Sequence, residues 1–113
     1  MNRNLKLVVN NTNKDEDKKL FFDRTELKII LDLYAKMVST GNWRDYSLNI
    51  STKQVSFGIF KNSTDNAVYK ICKNFKPLSK NLKYLITDNN GKVIKNSNNL
   101  SILIQETKWK KMF

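Results

Sequence analysis

Apolar positions recur along the chain first at a helical spacing and then at every second residue, and the switch falls near Gly41. Leu27, Ile30, Leu31, Tyr34, Met37 and Val38 share one broad face of a helix advancing about 100° per residue, with Ile29 and Leu33 at its margin. Asp23 is placed to cap the free amides, Glu26 three residues on completes a capping box, and Phe22 before the cap can pack on Leu27. Gly41 supplies the left-handed residue that ends the helix. So broad an apolar face predicts contact with more than one layer.

Beyond Gly41 the period of two predicts strands. Tyr46, Leu48 and Ile50 alternate with Ser47 and Asn49; Val55, Phe57 and Ile59 alternate with Ser56 and Gly58; Tyr69 and Ile71 alternate with Val68, Lys70 and Cys72. Two more short strands, Tyr84 to Thr87 and Lys92 to Lys95, flank Asp88-Asn89-Asn90-Gly91, where Asn90-Gly91 predicts a two-residue hairpin turn with positive φ at both positions. The chain closes with a helix expected from about Asn99 to Met112. Leu100, Leu103, Ile104 and Thr107 make one of its stripes, and Ile102, Trp109 and Phe113 a second, nearly opposite. A tryptophan and a phenylalanine on an outward stripe would need a partner, unless they fold back on their own domain.

Residues 10 to 19 hold no apolar side chain, so 1–19 reads as a flexible N-terminal segment and 20–113 as a single α+β domain. The expected architecture is helix, five-stranded antiparallel sheet, helix, with both helices on one face of the sheet. In that arrangement the first helix touches the sheet below it and the second helix beside it.

Composition narrows the chemistry. The chain has 113 residues, enough for one core and too few for two. It has no histidine, which removes the commonest general base and the imidazole metal ligand. One cysteine, Cys72, permits no intrachain disulfide and no paired-thiol site, as suits a reducing cytoplasm. No stretch approaches the roughly 20 apolar residues of a membrane span, and Leu5 to Val9 is too short for the apolar core of a signal peptide. Three isolated glycines compose no phosphate loop or dinucleotide fingerprint. Seven of the ten carboxylates fall in caps, turns or the polar segment, and Asp32, Asp45 and Glu106 show no catalytic or metal-binding spacing. The expectation is a cytoplasmic, non-enzymatic protein without metal, cofactor, small-molecule substrate or membrane contact.

Lys plus Arg number 21 against 10 Asp plus Glu, a net charge of +11. Such a balance suits a polyanionic partner, although abundant lysine and asparagine also follow from an AT-rich genome. Lys70, Lys73, Lys76, Lys80, Lys83, Lys92 and Lys95 face only Asp88 between Ala67 and Lys95, and they are the candidate nucleic-acid-binding residues, for RNA or the ribosome. The alternative is a protein-interaction adaptor or homodimer using Ile102, Trp109 and Phe113 of the C-terminal helix. Arg24, Trp43, Arg44 and Asp45 form a distinctive patch around the first helix, since arginine is scarce in this chain and its fork-shaped guanidinium is not replaced by lysine. Arg44 can pair with Asp45 or Glu26 and Trp43 can plug the helix end, or the patch can bind a partner.

Phe22-Asp23-Arg24-x-Glu26-Leu27, Ile30-Leu31, Tyr34, Met37-Val38 and Gly41-x-Trp43-Arg44-Asp45-Tyr46 resemble the small proteobacterial domain-of-unknown-function family 2794. Val55 to Phe60, Tyr69-Lys70-Ile71, Tyr84 and the Gly91 hairpin extend the resemblance toward the C-terminal helix. It implies a short, basic, cytoplasmic protein and carries over no catalytic residue.

Overall fold

Both halves of the capping box are made: the Asp23 carboxylate accepts from the Glu26 N–H at 2.8 Å, and the Glu26 carboxylate accepts from the Asp23 N–H at 2.7 Å. They start helix α1, Arg24–Ser39, with Phe22 buried ahead of it and Leu27 packed against the same core. The helix stops in a Schellman arrangement. Gly41 takes φ +82°, its N–H donates to the Val38 carbonyl at 3.0 Å, and the Asn42 N–H donates to the Met37 carbonyl at 2.9 Å. Replacing Asp23 by Ala removes the cap acceptor and is expected to cost about 1 kcal/mol. Urea unfolding measures it; an unchanged midpoint would show that water caps the helix as well as the side chain does.

The computed structural model describes residues 20–61 and 66–109. After α1 come β1 (Asp45–Ile50), β2 (Gln54–Phe60), β3 (Tyr69–Asn74), a 3-10 turn (Lys80–Leu82), β4 (Tyr84–Asp88), β5 (Val93–Ser97) and α2 (Leu100–Glu106). The expected flexible segment 1–19 and Phe113 lie outside the described residues. The strands form one antiparallel meander in the order β1-β2-β3-β4-β5. Directly opposed residues share a face, so the register lines up Leu48, Phe57, Ile71 and Ile86 across four strands. Phe57, Ile71 and Ile86 are sealed beneath the helices together with Ile30, Leu100 and Leu103, which puts α1 and α2 on one side of the sheet.

Three local expectations change. The β4–β5 turn is not a two-residue one: the Asp88 N–H donates to the Lys92 carbonyl at 2.9 Å, so three residues lie inside the closing hydrogen bond, and Gly91 takes φ +81°. The Asp88 carboxylate holds this longer loop by accepting from the N–H groups of Asn90 and Lys92 at 2.9 and 3.0 Å. Helix α2 ends at Glu106 rather than Met112. There the Thr107 hydroxyl and N–H both return to the Leu103 carbonyl, the backbone turns extended, and Trp109 swings toward the core. Finally, α2 covers only one flank of α1, and Leu31 and Val38 on that helix remain exposed.

Candidate nucleic-acid interface

At the centre of the polar architecture is a buried carboxylate. Glu26 lies on the sheet-facing side of α1, one turn from Ile30, and Lys73 and Tyr84 are directly opposed on β3 and β4 beneath it. Lys73 Nζ donates to Glu26 Oε1 at 2.7 Å and to the Phe21 carbonyl at 2.9 Å, and the Tyr84 hydroxyl donates to Glu26 Oε2. Burial, reinforced by that carboxylate, holds the Tyr84 phenol well above its ordinary pKa, so it remains a donor. With every oxygen and the ammonium engaged, the group ties α1 to the sheet. A narrow cleft of about 260 Å³ opens beside it, between Asp23 and Ser101.

The seven candidate lysines do not make one surface. Lys73 is only 8% exposed and is spent in this ion pair, so it is corrected from a binding residue to a core one. Lys95 shares the helix side, where its Nζ lies 3.5 Å from Glu106. Lys70, one register position from Ile71, points to the opposite sheet face, and Lys92 sits in the β4–β5 turn at the far end of the strands. Alternation along β3 parts Lys70 from Lys73, because successive side chains leave opposite faces.

What the fold does assemble is the other end of the meander. Lys76, Lys80 and Lys83 lie exposed in the β3–β4 connection, and the β1–β2 turn brings Lys53 to the groove that Lys76 also lines. Residues 51–54 and 74–83 contain no carboxylate. The Phe75 N–H donates to the Lys53 carbonyl at 3.0 Å, the Gln54 amide donates to Asn74 Oδ1 at 2.8 Å, and the Asn74 amide donates to the Leu82 carbonyl at 2.7 Å. These bonds brace a groove of about 680 Å³ with Pro77, Leu78 and Leu82 along it. Leu78 is 96% exposed. Lys53 escapes a reading of charge along the chain, since two strands separate it from Lys76. A meander topology would have revealed it, because turns one and three of a meander share an end.

The distinctive arginine patch is divided in the same way. Arg24 opens a 16-residue helix about 24 Å long, and Arg44 follows the turn beyond its other end. Neither forms a salt bridge among the described residues: Glu26 is taken by Lys73, and the Asp45 carboxylate accepts from the Tyr46 N–H at 2.8 Å. It is the backbone of Arg44 that the fold uses, its N–H donating to the Phe60 carbonyl and its carbonyl accepting from the Tyr34 hydroxyl. Trp43 is buried and meets Trp109 edge to face at 5.3 Å, and Trp109 meets Tyr69 at 5.1 Å. Trp109 therefore folds back on its own domain, and of the second stripe only Ile102 is exposed among the described residues.

Cys72 is buried and its thiol is pushed up to about 11 by that burial, against a smaller opposing pull from Lys70, so it is protonated at neutral pH. Among the described residues no three metal-ligating side chains converge, and no helix is long and apolar enough to cross a membrane.

No curated protein and no solved structure matches the chain. A family described as "Protein of unknown function (DUF2794)" does, over residues 20–104, from the turn before α1 into the second helix. The match spans the capping box, the Trp43 junction and every strand of the meander, and the chain belongs to that family.

Proposed function

We propose that the protein is a non-catalytic RNA-associated protein of the cytoplasm, which grips a phosphate backbone with Lys53, Lys76, Lys80 and Lys83. The observation that carries this reading is the carboxylate-free basic end of the sheet and the groove it frames. Four ammonium groups, none of them in a salt bridge among the described residues and one, that of Lys83, lying 5.3 Å over the Tyr84 ring, suit the regular charge of a polynucleotide. At about 680 Å³ the groove suits a short stretch of single strand better than a duplex, and Pro77 and Leu78 offer unpaired bases an apolar surface. Among the described residues no aromatic side chain lines it, so contacts to phosphate should dominate and sequence preference should be slight.

Binding of a single-stranded RNA oligonucleotide, followed by fluorescence anisotropy against salt, tests this. A log–log slope of about −0.7 per neutralised phosphate is expected. Replacing Lys76, Lys80 and Lys83 by Gln should lower the slope by about 2. Replacing Lys36, Lys70 and Lys92 removes the same charge from elsewhere and should leave the slope nearly unchanged. Equal losses in the two triple variants would refute the reading, because binding would then follow net charge alone.

A further inference from the structure

The two edges of the sheet are built differently. At β5 the register shifts between Ile86 and Thr87, Lys95 projects from the strand, and α2 packs against it, all of which discourage another strand from pairing. At β1 there are six regular residues with no bulge, no proline and no lysine, in a chain where lysine is abundant. Tyr46, Leu48 and Ile50 share its helix-side face and are 45%, 41% and 61% exposed, whereas Ile59, Phe57 and Val55 opposite them are sealed.

The flank of α1 continues this apolar surface. Tyr34 packs edge to face on Tyr46 at 5.1 Å, which fixes the rotation of the helix. At about 100° per residue Leu31 and Val38 then lie just beyond Tyr34, on the side toward β1, and both are exposed. Along the strand the Ser51 N–H bonds inward to the Gln54 carbonyl at 2.8 Å. Alternation therefore turns the backbone N–H and C=O groups of Tyr46, Leu48 and Ile50 away from β2.

We propose that this flank is a homodimer interface, in which β1 pairs antiparallel with β1 of a second copy about a two-fold axis through Leu48. Matching faces allow only registers in which outward-bonding residues oppose one another, and centring on Leu48 overlaps the whole strand. It sets Tyr46 against Ile50 of the second copy, and Leu31 and Val38 of both copies close over the joint. Charge selects a second copy as the occupant. Two chains of net charge +11 repel wherever lysines meet, and β1 has none. The same register brings Asp45, its one charged residue, opposite Ser51 of the second copy and toward that copy's Lys53, twice by symmetry.

Sedimentation velocity of the full chain across the micromolar range tests the proposal. The wild type should sediment as a dimer, and the amides of Leu48 and Ile50 should exchange slowly with solvent. Leu48→Lys and Ile50→Lys should each give a monomer with unchanged far-UV circular dichroism. Both side chains are exposed in a single chain, and either variant alone decides the matter if the other fails to fold. Ile102→Lys, on the exposed side of α2, should remain dimeric, as should the Lys76, Lys80 and Lys83 variant, whose RNA phenotype is separate. A wild type that is monomeric throughout, or a dimer that survives both β1 substitutions, would overturn the proposal.

Discussion

Replacing Glu26 by Ala is expected to destabilise the domain by about 3–5 kcal/mol, the range for stranding one member of a buried ion pair. The loss exceeds that of a surface pair because the Lys73 and Glu26 side chains are only 10% and 8% exposed. Without the carboxylate, Lys73 keeps the Phe21 carbonyl alone, the Tyr84 hydroxyl loses its acceptor, and half of the α1 cap disappears. The exposed Lys28–Asp32 pair at 2.9 Å makes the contrast, since removing it should cost less than about 1 kcal/mol. Urea unfolding of Glu26→Ala measures the effect. Glu26→Leu combined with Lys73→Met should recover much of it, because no charge is then left buried. If the double replacement is as damaging as the single one, the hydrogen bonds to Tyr84 and Asp23 rather than the stranded ammonium account for the loss.

Trp43→Ala should cost a similar amount, about 3–5 kcal/mol, because the indole is 1% exposed and its removal leaves a cavity the junction cannot close. Trp43 follows the Schellman turn, its N–H returning to the Met37 carbonyl at 3.3 Å, so its backbone is held whatever the side chain. The side chain carries the packing, with Tyr34 at 6.3 Å and Trp109 at 5.3 Å. Trp109→Ala should lose less, being half-buried, and the two losses should fall short of additive by about 0.5–1.5 kcal/mol, the usual value of an aromatic pair. In Trp43→Ala the remaining indole reports on the C-terminal segment. Free quenching of its fluorescence by acrylamide would show that Trp109 needs Trp43 to fold back.

Short-range chemistry was legible in the residues themselves. The capping box at Asp23 and Glu26, the left-handed Gly41 and the alternation of β1, β2 and β3 each depend on positions at most a few residues apart. No other part of the chain is needed to read them. The end of α2 was not legible in this way, because what stops the helix is the gain from packing Trp109 on Trp43 and Tyr69, residues far back in the sequence. Glu26 looked like a cap and Lys73 like a surface charge, and each description was locally sound. They sit 47 positions apart, and only the stacking of α1 over β3 makes them partners.

The candidate site divides along the same line. Net charge and the lysine-rich stretch after Ala67 are properties of the sequence, and they suggested one basic surface running from Lys70 to Lys95. The pleat then sent Lys70 and Lys73 to opposite faces, while the meander brought Lys53 to the groove beside Lys76, at the end of the sheet where the connection carrying Lys80 and Lys83 also runs. Sequence alone determined which segments are helix and strand, because caps, turns and periodicity act through neighbouring residues. Tertiary structure decided which charges are spent in the core, which gather at one end, and which apolar flank stays open, because burial and proximity depend on how distant segments stack.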